Sequence, residues 1–157
     1  MSSDVYNIID EPNPGFCSRI AVNPIWPLLS VMTCGFWFSI TWILTNGFAL
    51  GSPTRKKEVG IAVVGVISLG LIYIGIVALH QSGILHKEAI PYVILLLPLV
   101  KLAILYRVMF MQSQTVELFE YFGGRLLNGI PIVAGSYFLG KYVDPWVSNS
   151  FFYSILR

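Results

Sequence analysis

Charge is what this chain has least of. Only 11% of its 157 residues are Asp, Glu, Lys or Arg and 55% are hydrophobic, whereas an ordinary soluble domain carries about 25% charged residues. From Ile20 to Thr54 there is no acidic or basic residue at all, and roughly 18 uncharged apolar residues already suffice for a membrane-spanning helix. The formal net charge of +2, scattered along the chain, excludes a nucleic-acid footprint. Cysteine is equally scarce. Cys17 stands in a polar lead-in and Cys34 inside the first apolar run, so no disulfide between them is expected, and two thiols without companion ligands make no zinc site. No metal and no other cofactor is expected. The first 19 residues carry Asp4, Asp10 and Glu11 in place of a basic start and a short apolar stretch, which does not match a cleavable signal peptide. Membrane entry is then left to the first span.

What is present is a series of long apolar segments separated by polar turns. Residues 1–19 form an acidic lead-in broken by Pro12, Pro14 and Gly15. The first span is expected over about Pro27–Leu50, with Trp26, Trp37 and Trp42 as interfacial anchors. It ends in Gly51, Ser52 and Pro53, before the basic turn Arg55, Lys56 and Lys57. The second span covers Val59–Leu79, and a turn containing His80, His86, Lys87 and Glu88 follows. The third covers about Ala89–Tyr106, with Pro98 expected to kink it. Residues 109–122 mix aromatics with Gln112, Gln114, Glu117 and Glu120, which suits an amphipathic helix lying along the interface. The fourth span is expected over Leu126–Tyr142, and Trp146–Leu156 reads as a short interfacial or docked tail. Backbone groups find no partners in lipid, so these runs must be helices, and their length and lack of alternation exclude a barrel. The expected fold is all-α: one transmembrane domain, a four-helix bundle over 1–157.

Arg55, Lys56, Lys57, Arg107 and Arg125 then fall on one side, and Arg19, Lys87, Lys141 and Arg157 on the other. The density of the first cluster makes its side cytoplasmic, with both chain ends outside.

No nucleophile elbow, zinc-protease motif, phosphate loop or pair of intramembrane aspartates occurs, so no catalytic residue is assigned. Lys101 stands about twelve residues into an apolar run, where an ammonium costs about 2.5–3.5 kcal/mol. Two readings are open: snorkelling, together with Arg107, toward the headgroups, or a place in a polar path or subunit contact. Glu117 and Glu120 share a helix face and could approach Arg125 or Lys101, or simply be solvated. His80 and His86 read as loop residues, because two histidines without a third placed ligand make a weak metal site. Gly47 and Gly51 have the spacing that lets helices approach closely, and they also punctuate a turn. Gly65 and Gly70 belong to a five-residue series in the second span that suggests packing on several sides.

The stretch from Gly35 to Arg55, with Asn46, Ala49, Leu50, Gly51 and a basic turn, resembles the first hairpin of a loose group of small, uncharacterised bacterial inner-membrane proteins. Phe122, Gly123, Gly124 and Arg125 before the last span are similar to that group as well. Cys34, Gly35, Phe36 and Trp37 stand where a Gly-Gly-Pro-Leu type element is usual. The resemblance covers about a third of the chain and implies a multi-pass inner-membrane protein, with no catalytic residues to carry over.

Three functions are therefore in view. The first is a non-enzymatic membrane subunit or anchor that forms a homo-oligomer or binds another protein subunit. The second is a channel, transporter or membrane-perturbing effector with a polar path near Lys101. The third, well behind, is an intramembrane enzyme acting on lipid.

Overall fold

The computed structural model describes residues 16–147, and the expected tail 146–156 falls largely outside them. The described chain is all-α, its only β pairing being an isolated bridge between Val22 and Leu127. After a 3-10 turn at Phe16–Ile20 come α1 (Ile25–Leu29), α2 (Val31–Cys34), α3 (Phe36–Ala49) and α4 (Arg55–Gln81). A second 3-10 turn, Lys87–Ala89, leads to α5 (Ile90–Ile94), α6 (Leu96–Tyr121) and α7 (Ile130–Val147).

The stretch expected as one span, 27–50, is two antiparallel arms. Gly35, at φ 89° and ψ 179°, stands between α2 and α3, in a region of backbone space open essentially to glycine alone. The Ser30 hydroxyl meets that of Ser39 at 2.8 Å, and Val22 meets Asn46. Both pairs are centred on Cys34 and Gly35, so α1 and α2 run back along α3. The apolar run was long enough for a full span, but a run of apolar residues does not reveal a reversal made by one glycine.

The third span also differs in detail. The break lies at Leu95, between α5 and α6. Pro98 supplies no N–H to the carbonyl of Ile94 four residues back and its ring crowds it, which places the kink one turn before the proline. Beyond it α6 is continuous to Tyr121, so residues 109–122 are the end of a long helix and not a separate interfacial one. The helix expected over 126–142 begins later, at Ile130.

Two helical stretches, Arg55–Gln81 and Lys87–Tyr121, are long and apolar enough to cross a membrane. In the most apolar eighteen residues of α4 only 17% are buried against the rest of the chain, whereas the core helix of a water-soluble domain is mostly buried. Val63, Val64, Ile67, Leu71 and Ile74 all face outward.

Contacts fix the register. Glu58 meets Gln112, and a Cβ on Gly65 would lie 2.6 Å from Ile104, so α4 and α6 are antiparallel. Asn46 meets Gln112 as well, so α3 and α6 are parallel. Leu127 N–H donates to the carbonyl of Ala21 at 2.8 Å, and the Thr33 hydroxyl meets that of Ser136, so α7 runs alongside α1 and α2. Val22, Asn46, Glu58, Gln112 and Leu127 thus gather at one end of the bundle, here called its head. Gly35 lies about ten residues of helix, or about 15 Å, below it.

A side chain at position 35 meets a backbone region that costs about 1–3 kcal/mol without glycine. Gly35→Ala is expected to destabilise the protein by about 2 kcal/mol, read as a lower melting temperature in detergent, whereas Gly70→Ala, where an added Cβ meets open space, is expected to leave it unchanged or raise it.

Candidate functional site

The most polar part of the interior is at the head. It begins where α3 ends. Leu50 closes the helix, Gly51 takes the left-handed conformation at φ 67°, and the Ser52 and Gly51 N–H groups return to the carbonyls of Gly47 and Phe48. This doubly bonded glycine cap satisfies helix-end carbonyls that would otherwise be orphaned. Pro53 then prevents the helix from continuing, and α4 starts within two residues.

The cap delivers Ser52 to Glu58, in the first turn of α4. Glu58 is 1% exposed, a rare condition for a carboxylate. One of its oxygens, Oε1, accepts hydrogen bonds from the Ser52 hydroxyl at 2.6 Å and the Thr54 hydroxyl at 2.8 Å. The other, Oε2, accepts from the Gln112 amide at 2.8 Å. Every neighbour is a donor, and the N-terminal end of α4 adds a favourable dipole.

Gln112 carries the network across the bundle. Its Nε2 also donates to the carbonyl of Ile43 at 2.7 Å, and its Oε1 accepts from Asn46 Nδ2 at 3.2 Å. Asn46 Nδ2 donates in addition to the Val22 carbonyl at 3.0 Å, and its Oδ1 accepts from the Val22 N–H at 2.8 Å. Both amides therefore use both N–H groups and their oxygen, and the chain of bonds leaves none of these buried polar atoms unpaired. Gly47 packs into its centre: a Cβ there would collide with the Glu58 carboxylate and lie 2.7 Å from the Gln112 amide nitrogen.

This arrangement is a clamp. Its groups are hydrogen-bonded to one another, and each bond ties one segment of the chain to the next. It joins Val22, in the segment before α1, to α3, α4 and α6 at a single level.

The residues singled out from the sequence are dispersed. Lys101 is 7% exposed and lies on the inward face of α6, eleven residues from Gln112. Helix periodicity places it in the same stripe as Leu97, Ile104, Leu105 and Val108. The register of α4 and α6 puts it level with Leu69, near the middle of α4. Among the described residues it has no hydrogen-bond or ion-pair partner. Arg107, Glu117, Glu120 and Arg125 are exposed. Because α6 is one unbroken helix, Glu117 lies about 24 Å along the axis from Lys101, and the two do not meet. Gly65 makes a close approach to Ile104, Gly51 serves the turn, and Gly70 faces open space. Cys17 is exposed and Cys34 buried, and the exposed His80 ring lies 3.4 Å from the Leu85 carbonyl.

The clamp is hard to read from the sequence because Glu58 directly follows the basic turn Arg55, Lys56 and Lys57, and Gln112 falls on the polar side of the expected interfacial helix. The signal was there. Leu97, Lys101, Leu105, Val108, Gln112, Val116 and Phe119 fall within a stripe about 100° wide on an ideal helix, and a polar residue on an otherwise apolar stripe is an inward one.

Removing one member strands the rest. Glu58→Ala and Gln112→Leu are each expected to cost about 2–3 kcal/mol, because buried donors lose their acceptor. The double variant is expected to cost about 1–3 kcal/mol less than the sum of the two. Thermal melts of the four proteins in one detergent check this, and strict additivity would show that the two side chains do not act together. No protein-family model matches the chain, nor does any curated protein or solved structure, so the likeness of Gly35–Arg55 to small inner-membrane proteins rests on those motifs alone.

Proposed function

We propose that this chain is a multi-pass integral membrane protein that acts without catalysis, as a helical subunit or anchor which assembles with further copies or with another protein in a bacterial inner membrane. The observation that carries this reading is α4: a helix of 27 residues, about 40 Å long, that offers most of its apolar surface to the outside. A hydrocarbon environment makes such a face favourable, since in water apolar surface costs about 25 cal/mol per Å². The head clamp supports a structural role, because its hydrogen bonds tie α3, α4 and α6 and the segment before α1 together.

In this setting α4 and the α5–α6 unit cross the bilayer, α7 runs beside the hairpin from the head, and the arms α1–α2 and α3 enter and leave by the same face with Gly35 near the midplane. That changes the charge count. Arg19, Arg55, Lys56, Lys57 and Arg125 come to the head side, while Lys87 and Lys141 lie toward the other. The bias of Lys and Arg toward the cytoplasm then favours a cytoplasmic head more strongly than a full first span would.

Membrane-impermeant thiol reagents test the topology. Native Cys17 and a cysteine at Lys56→Cys are expected to label from the same face, and Ile84→Cys from the opposite one, in each case with Cys17 or Cys34 replaced by serine as the background requires. Labelling of Cys17 and of position 56 from opposite faces would restore a full first span. In detergent the particle is expected to exceed the mass of one chain plus micelle.

A second reading, a polar path for an ion or small solute, is favoured by Lys101. It is buried at the level where the hairpin reverses, with no hydrogen-bond or ion-pair partner among the described residues, and broken helices near the midplane are where transporters place their binding sites. Under this reading Lys101→Met abolishes a salt-dependent flux measured in liposomes containing the purified protein. Flux absent from wild type and variant alike removes it.

A further inference from the structure

A shallow apolar groove of about 540 Å³ runs along the outside of the bundle between α4 and α6. Gly60, Val64 and Ser68 of α4 form one wall and Val100 and Ile104 of α6 the other, with Lys57 at one end. Its depth comes from missing side chains: a Cβ on Gly60 would meet nothing within 4 Å. The Ser68 hydroxyl is turned back to the Val64 carbonyl at 2.8 Å, so it presents little polarity to the groove floor.

The groove has a length and a polarity. From Lys57 to Ser68 it follows α4 for eleven residues, about 16 Å, and half of a hydrocarbon core about 30 Å thick is about 15 Å. One end is cationic and lies beside the exposed Arg55 and Lys56, while the other end, near the middle of α4, is apolar apart from Ser68, whose hydroxyl is already bonded. A second copy of the chain inserted in the same orientation would bring its own Arg55–Lys57 cluster against this one, and like charges repel. An anionic headgroup with a single acyl chain beneath it fits both the charge and the length.

We propose that this groove is a binding site for an anionic phospholipid of the leaflet on the head side, with the phosphate held at Lys57 and one acyl chain laid along Gly60, Val64 and Ser68 against α6. The proposal rests on the membrane reading above. It makes the groove a lipid contact, not a helix-dimer seam.

Native mass spectrometry of the full chain released from detergent tests this, after addition of equal amounts of palmitoyl-oleoyl phosphatidylglycerol and palmitoyl-oleoyl phosphatidylcholine. Wild type is expected to retain one phosphatidylglycerol with a preference of about fivefold, the size one lysine beside an anionic headgroup supports. Lys57→Gln is expected to bring the preference to about one. Gly60→Leu, which fills the groove without a clash, and Ser68→Leu at its deep end are expected to lose the bound lipid, while Gly70→Leu, also in open space on α4 but outside the groove, keeps it. Equal retention of both lipids by wild type, or retention unchanged in Gly60→Leu and Ser68→Leu, overturns the proposal. So does a lipid-free dimer that Gly60→Leu splits, which would give the groove to a second copy. A wild-type protein that stays dissolved without any detergent fails the membrane reading itself, and that outcome is separable from loss of lipid selectivity in a detergent-dependent particle.

Discussion

The Gln112 amide is the joint on which the bundle depends. A polar group buried away from water is tolerated only when its hydrogen bonds are made, and Gln112 makes them to three different parts of the chain: the Ile43 carbonyl, the Asn46 side chain and the Glu58 carboxylate. Apolar contacts among Phe36, Ile43, Leu69, Leu105 and Val108 fill the space below, but such contacts are non-directional and would accept a slipped register. The clamp does not. Sliding α6 by one turn would separate Gln112 from all three partners at once, so the hydrogen bonds specify which of several greasy packings is adopted. In a bilayer, where lipid competes with side chains for apolar contact, this directional contribution gains relative weight.

The clamp also settles where the hairpin can lie. Asn46 holds both the N–H and the C=O of Val22, much as a neighbouring strand would, and the adjoining Ala21 carbonyl takes the N–H of Leu127. One side chain therefore anchors the entry to α1 and, through it, the approach to α7. Gly129 against Trp26 and Gly140 against the Thr33 carbonyl then let α7 lie close along the first arm. Gly47, Gly65, Gly129 and Gly140 stand where the chain packs closely, whereas Gly60, Gly70 and Gly75 share the outward side of α4 with branched aliphatics.

Much of this was legible in the residues. Helix class, the apolar run of α4 and the kink from Pro98 follow from composition, run length and a missing N–H, whereas four spans were expected and two helical stretches, the second running on to Tyr121, are long and apolar enough. The hairpin was not legible, because Gly35 looks like any other glycine in an apolar run, and it takes the pairing of Ser30 with Ser39 and of Val22 with Asn46 to reveal the reversal. The clamp was half legible: the inward stripe of α6 contains Gln112, but its partners are fixed by distant contacts that periodicity cannot supply. Lys101 was singled out for its cost, and it is indeed buried. Its pairing with Glu117 and Glu120 failed because residues 109–122 continue α6 in a straight line and do not fold back.

The bond between Asn46 and Gln112 spans 66 positions, and that has a consequence for synthesis. At about 5–20 residues per second, a ribosome that has just made Asn46 needs about 3–13 s to reach its partner. During that interval the first hairpin has its turn and its hydroxyls but no acceptor across the bundle. Its final seating must await α6 for this bond and α7 for the bonds to Ala21 and Thr33, so the part of the fold made first is the last to be secured.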